Sequence, residues 1–302
     1  MPLATKAIKQ KIKSVGNIKK ITKTMEMVSV SKMRRAVDRA IASRAYSRYA
    51  LELLVNLSKD PNVSNPLMNA GTTNKELVIL IASNKGLCGG YHTNLYKALN
   101  IYLKKEESRG KELKVVAVGK YAEKISRKLD LPLFASFHTF SEYSDIKQTK
   151  ELSDLVASEF IKGEYGSVKI LYTEYLKSTT YKPVLRELFP IRAESIKNII
   201  ETEEEKVETK EEENHFIDYK FEPDLNIILE SILPGLVDVV VYQTLAEAFA
   251  SEHSARMFAM KNAGDSATTI LDALTLSYNH ARQDGITREL SEIVAGAEAL
   301  SN

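Results

Sequence analysis

From Thr5 to Leu57 apolar residues recur at Ile8, Ile12, Val15, Ile18, Ile21, Met25, Val28, Met33, Val37 and Ile41, then at Leu53, Leu54 and Leu57. Such short, uneven gaps follow the turn of a helix, not the alternation of a strand. No proline interrupts the stretch, and its only glycine is Gly16. A single helix is predicted, roughly 80 Å long at 1.5 Å per residue. Ser29, Ala36, Ser43 and Ala50 fall a heptad apart within it. Small side chains on a seam let a second helix approach closely.

The other end of the chain reads the same way. After Pro234-Gly235, the segment from Leu236 to Leu300 has no proline, and Val240, Leu245, Phe249, Met257, Met260, Ile270, Leu274, Leu276, Ile286, Leu290 and Ile293 keep a helical spacing. Gly264, Gly285 and Gly296 weaken it locally, by about 1 kcal/mol each relative to alanine. A helix of that length reaches roughly 95 Å. The radius of gyration of a compact 150-residue domain is only about 15 Å. Two such helices are therefore expected to project from any globular body, paired as an antiparallel coiled coil.

The middle has a different texture. Leu77–Ala82, Lys114–Val118 and Val168–Tyr175 are apolar strand candidates. Helical patterns cover Leu95–Lys105, Tyr121–Leu129 and Ser153–Lys162. Apolar strands alternating with helices predict a small parallel sheet covered on both faces. Glu201–Asn214 (ETEEEKVETKEEEN) is an acidic stretch unable to bury surface, and His215–Asp224 is expected to be extended. The expected division is 1–60 for the N-terminal coiled-coil helix, 70–225 for an inserted α/β domain including an acidic loop at 201–214, and 235–302 for the C-terminal coiled-coil helix.

Composition changes this picture little. The 302 residues are 44% hydrophobic and 27% charged, ordinary for a globular protein, with a net charge of +2. A single cysteine excludes an intrachain disulfide framework. No run approaches the roughly 18 consecutive apolar residues of a spanning helix. The lysine-studded start lacks a secretory apolar core, and its helical pattern continues past Arg44, so it reads as mature protein, not as a transit peptide.

Charge distribution is more telling. Lys6, Lys9, Lys11, Lys13, Lys19, Lys20, Lys23, Lys32, Arg34, Arg35, Arg39, Arg44 and Arg48 are opposed only by Glu26 and Asp38. That density suits nucleic acid or anionic lipid, a solvated face, or a shaft inside an acidic protein sleeve. Composition leaves the three open.

Two stretches invite a catalytic reading. Ser83–Asn94 (SNKGLCGGYHTN) leaves an apolar strand and holds three glycines and Cys88, but fits neither the Walker loop nor G-x-G-x-x-G. A strand-to-helix turn explains its glycines. Ser251-Glu252-His253-Ser254-Ala255-Arg256, with Asp265, suggests a triad. Helical spacing points these groups around the cylinder, so polar positions on an exposed helix are expected. His92, His138, His215, His253 and His280 show no metal-ligand spacing.

Ile18-Lys19-Lys20-Ile21-Thr22-Lys23-Thr24-Met25-Glu26-Met27-Val28 with Ser31-Lys32-Met33-Arg34 resembles the N-terminal signature of the gamma subunits of F-type ATP synthases. Gly86-Leu87-Cys88-Gly89-Gly90 with Asn94 is similar to that family's GLCGG turn. Ala250–Ala263 (ASEHSARMFAMKNA), Tyr278–Gln283, Ile286-Thr287 and Ile293–Ala297 complete the resemblance, which covers essentially the whole chain.

The resemblance implies an α/β fold class: a long antiparallel coiled coil of the N- and C-terminal helices with an inserted Rossmann-like α/β domain. It further implies a non-catalytic central-stalk rotor, one copy per complex, inside a hexamer of three alpha and three beta subunits. The epsilon subunit and the membrane c-ring would hold its foot. No cofactor, metal or nucleic acid is implied, and membrane association comes only through the complex, peripheral on the cytoplasmic face of a bacterial cell membrane. Carried over residue by residue, Met25, Arg256, Arg282, Gln283 and Thr287 match contacts to the alpha/beta ring. Tyr219, Phe221, Glu222 and Asp224 match the foot by epsilon and the c-ring. Departures are Asn84 where the family often carries aspartate, Asp284-Gly285 in place of small residues, and a longer acidic loop. The extra cysteine pair of redox-regulated chloroplast members is lacking.

Overall fold

The computed structural model describes residues 3–57, 65–69, 71–200 and 225–301. The predicted acidic loop and the stretch from His215 to Asp224 lie outside them. Elements run α1 (Leu3–Leu57), β1 (Lys75–Ile81), α2 (Tyr91–Glu107), β2 (Glu112–Val118), α3 (Lys120–Lys128), β3 (Leu133–Phe137), α4 (Ile146–Ile161), β4 (Ser167–Lys177), β5 (Thr180–Phe189), α5 (Ala193–Ile200) and α6 (Leu225–Ser301).

The sheet has the order β3-β2-β1-β4-β5. β3, β2, β1 and β4 are mutually parallel, and β5 returns antiparallel to β4 through the hairpin at Ser178-Thr179. The fully parallel sheet expected from sequence is therefore mixed, with an antiparallel edge. β1 is buried from Glu76 to Ile81 because both its faces are covered. On one face Leu77, Ile79 and Ile81 pack with α4 residues Leu152, Val156 and Phe160 and with α6 from Leu229 to Phe249. On the other, Val78 and Leu80 pack with Leu95 and Leu99 of α2 and Ala122 and Ile125 of α3.

Helix α6 starts ahead of the expected position and carries Pro234 inside it. Leu229 and Leu233 before the proline and Leu236, Val237, Val240 and Val241 after it are all buried, and this common packing holds the helix through the break. The helix between Ile227 and Ala297 contains a stretch long and apolar enough to cross a membrane, with a mean hydropathy of 1.5. Its apolar character has a different use here, since Leu229 to Leu245 lines the core of the α/β body.

The chain divides into two compact units, 30–255 and 1–29 with 256–302. The larger holds the sheet, with α1 contributing buried Met33, Ala36 and Ala40. In the smaller, Thr22 lies opposite Gly264, and Ala7, Gln10 and Val15 share a groove with Ile270 and Leu274. Residue numbers rise on one helix as they fall on the other, so the pair is antiparallel. Among the described residues its buried positions are Thr5, Thr22 and Ser29 on α1 and Arg256, Met260, Ala267 and Gly285 on α6. On α1 the seam is thus made of small residues. Ile18, Ile21 and Val28, assigned to an inward stripe by their spacing, are about half exposed.

Candidate interaction surface

The loop after β1 is a packed turn. Leu87 and Gly89 take left-handed backbone angles, φ 61° and 57°. Gly119, at φ 91°, lets the end of β2 approach so closely that a Cβ there would stand 2.4 Å from the Ala82 carbonyl oxygen. Asn84 ties neighbouring loops together: its Nδ2 donates to the His138 carbonyl at 2.9 Å and its Oδ1 accepts from Lys120 N–H at 3.1 Å. An aspartate, as the family often carries, could make only the second bond. Cys88 Sγ lies 3.5 Å from His92 Nδ1, and the imidazole stacks on Tyr121 and contacts Ser83 Oγ at 2.6 Å. With Cys88 buried, the thiol has no route to a substrate.

The strand order reverses beside β1, where open α/β sheets ordinarily bind ligands at the carboxyl ends of their strands. Here α6 fills that crevice. Tyr91 Oη donates to the Ala248 carbonyl at 3.3 Å, Ser254 Oγ donates to the Ser178 carbonyl in the β4–β5 turn, and Ala255 packs into the core beside Val78 and Leu80. The expectation that Ser251–Arg256 is an exposed polar face is corrected by this packing. Ser251, Glu252, His253, Ser254 and Arg256 are all buried. Ser254 and His253 meet groups of the β4–β5 turn and of the loop ahead of α4 that the helix removes from water, whereas Ser251 Oγ is buried without a hydrogen-bond partner.

The basic arm also divides. The loop ahead of α4 is fixed onto α1 by Lys32, whose Nζ pairs with Glu142 at 2.6 Å, and by Arg39, which donates to the carbonyls of Glu142 (2.6 Å) and Ser144 (2.9 Å). Arg35 donates to Tyr143 Oη at 2.7 Å. From α6, His253 Nε2 reaches Glu142 at 3.4 Å. Burial alone would raise the Glu142 pKa, but hydrogen bonds from His253 and Lys32 overcome it and hold the carboxyl down to about 2. Asp145 then caps α4 in a reciprocal box with Gln148. Lys32, Arg35 and Arg39 are thus internal clamps, a role that a count of charges could not separate from an outer surface.

The smaller unit shows the opposite. Lys6, Lys9, Lys11, Lys13, Lys19 and Lys20 are exposed. Ile18, Ile21 and Val28 are exposed on α1, and Ile286, Leu290, Ile293 and Val294 on α6. Arg282, Ile286, Leu290 and Val294 recur every four residues, so they form one stripe. Of the ring-contact residues carried over from the resemblance, Arg282, Gln283 and Thr287 are exposed, Met25 is half-buried, and Arg256 is buried. Tyr219, Phe221, Glu222 and Asp224 lie outside the described residues. Among the described residues no group of His, Cys, Asp or Glu side chains could hold a metal ion.

A family model described as ATP synthase matches residues 4–300. The ATP synthase gamma chain of Verminephrobacter eiseniae is 37% identical, covering 99% of each chain. That of Variovorax paradoxus is also 37% identical, over 99% of each. The rotor of the Euglena gracilis mitochondrial ATP synthase superposes with a TM-score of 0.60 at 18% identity, over 94% of this chain and 99% of that one. A chain of the Tetrahymena thermophila mitochondrial ATP synthase central stalk and c-ring gives 0.57 at 22%, over 80% and 99%. The two structural matches bear on the fold alone, whereas the sequence matches run from end to end. The chain therefore belongs to the ATP synthase gamma-chain family.

Proposed function

We propose that this chain is the central-stalk rotor subunit of an F-type ATP synthase, transmitting torque between a membrane c-ring and a catalytic hexamer of three alpha and three beta subunits. It is itself non-catalytic. One observation carries the reading: an antiparallel helix pair leaves an apolar and basic surface uncovered, while the crevice where an α/β enzyme would bind its ligand is filled by the chain's own helix. Aliphatic side chains in such a stripe have more to gain from a protein sleeve than from water.

Within this reading Met25, Arg256, Arg282, Gln283 and Thr287 face the alpha/beta ring, and Tyr219, Phe221, Glu222 and Asp224 meet epsilon and the c-ring. The working division is 1–60 and 235–302 for the shaft and 70–225 for the body outside the ring. Family membership associates the chain with a membrane-bound complex, and we place it on the cytoplasmic face of the cell membrane. Arg256 is buried in the free chain, whereas Arg282, Gln283 and Thr287 are exposed and can touch a partner directly.

Reconstitution tests the proposal. Alpha and beta subunits from the same source are assembled with and without this chain, and stoichiometry and ATP hydrolysis are followed. One copy per three alpha-beta pairs, with sustained hydrolysis that needs the end beyond Leu290 for full strength, is expected. Failure to incorporate, with hydrolysis unchanged, overturns the rotor reading.

A further inference from the structure

The amino ends of the strands, opposite the crevice that α6 fills, hold a cleft of about 190 Å³ lined among others by Thr73, Lys75, Lys111, Lys169, Glu187 and Arg192. Behind the lining residues Ser167, Lys111 and Lys169 lies Glu76, fully buried at the start of β1. That carboxylate accepts from Tyr102, from Ser167 Oγ at 2.8 Å and from Lys111 Nζ at 3.1 Å, and it forms an ion pair with Lys169 Nζ at 3.3 Å. Lys111 also pairs with Glu106 at 3.0 Å, and Lys169 donates to Tyr102 Oη at 2.6 Å.

An ammonium has three N–H groups. Lys111 directs two at Glu76 and Glu106 and Lys169 one at Tyr102, so both keep donor capacity while held in place by buried groups. Lys75 and Arg192 are exposed and have no side-chain partner among the described residues. Glu187, the carboxylate on the wall, is occupied by Ser195 Oγ at 3.2 Å. Cations outnumber carboxylates here, and two of them are fixed in advance by Glu76. A preorganised cationic cleft of this kind favours an oxyanion that accepts several charge-assisted bonds at once. A phosphate or diphosphate group has that chemistry.

We propose that this cleft binds a phosphate group, either as a free inorganic anion or as the monoester headgroup of a lipid. Lys111 and Lys169 form its fixed base, and Lys75 and Arg192 close on the ligand from its rim. No assignment of the chain as a rotor requires such a site, and the test does not depend on that role.

Calorimetry on the full chain with inorganic pyrophosphate supplies the first arm. One pyrophosphate per chain is expected, with a Kd below about 1 mM, weakened roughly tenfold or more by Lys75→Ala with Arg192→Ala. Both side chains are exposed, so the fold is retained. A control pair, Lys6→Ala with Lys9→Ala in the other unit, leaves binding unchanged. The second arm is flotation with vesicles of phosphatidic acid in phosphatidylcholine. Pyrophosphate binding without flotation identifies a free anion as the ligand. Flotation lost in the Lys75/Arg192 variant, but kept in the control, identifies the headgroup. No heat and no flotation, or equal losses in both variants, overturns the proposal.

Discussion

Glu142 and His253 meet at 3.4 Å, a loop carboxylate and a helix imidazole brought together from positions 111 residues apart. Lys32 of α1 completes the contact, so one carboxylate joins both long helices to the loop that enters α4. Its pKa is held at about 2, below the ordinary carboxylate value. A depressed carboxyl contributes stability that is fully present above its unfolded value and is lost as pH falls through the folded one.

The first prediction follows from that sign. At neutral pH, Glu142→Gln lowers stability by roughly 2–3 kcal/mol, since each unit of depression is worth about 1.4 kcal/mol. The difference shrinks as pH falls from about 4.5 and is nearly gone by about 2. Denaturant unfolding of both proteins across that range measures it. Glu76 is also depressed, through Tyr102, Lys169, Ser167 and Lys111 acting against its burial. It titrates in both proteins, so their difference isolates Glu142. A gap independent of pH would contradict the assigned ion pairs.

Gly264 yields a prediction of the opposite sign. A Cβ there would meet Thr22 Oγ1 at 3.4 Å, ordinary contact. Alanine is the better helix former by about 1 kcal/mol. Gly264→Ala is therefore expected to stabilise the helix pair by roughly 0.5–1 kcal/mol, whereas Gly264→Leu separates the helices. Thermal unfolding monitored by helix content distinguishes the two.

Gly119→Ala has no such freedom. Its positive φ and the 2.4 Å approach to the Ala82 carbonyl act together. A loss of at least ~2 kcal/mol is expected from backbone strain alone. Hydrogen exchange at Ala82, whose N–H donates to the Val118 carbonyl at 2.9 Å, reads the damage locally. Unaltered protection there would show that the turn adjusts without strain.

The strands that escape a sequence reading are the edges. β1, β2 and β4 are apolar runs buried on both faces, and periodicity finds them. β3 is only half-buried, and β5 carries Lys182, Pro183, Arg186 and Glu187, which an edge tolerates and a central strand does not. Pro234 hid the first turns of α6 for a related reason: a local breaker is overridden by Leu229, Leu233 and Leu236 packing on one core. Helical spacing of Ile18, Ile21 and Val28 identified the helix but not its direction of burial. Spacing cannot separate a stripe that faces a partner helix from one left exposed, and the small residues Thr22 and Ser29 occupy the actual seam. Ser251–Arg256 misled because polar side chains are read as outward, while here Ser254 answers the β4–β5 turn and His253 a loop carboxylate.

Leu290 and Ile293 separate fold from function most cleanly. They are 57% and 66% exposed in the free chain, so replacing both with serine changes its stability by no more than about 0.5 kcal/mol. Full burial of an aliphatic side chain is worth roughly 1.5–3 kcal/mol. If the proposed hexamer sleeves this stripe, the double variant loses much of that on assembly, and its incorporation weakens by roughly tenfold or more. Titrating the folded variant against alpha and beta subunits, with hydrolysis as a second readout, measures the loss. An unchanged melting profile combined with weakened incorporation assigns the stripe to the ring. Unchanged incorporation would remove Leu290 and Ile293 from the interface and leave the contact to Arg282, Gln283 and Thr287.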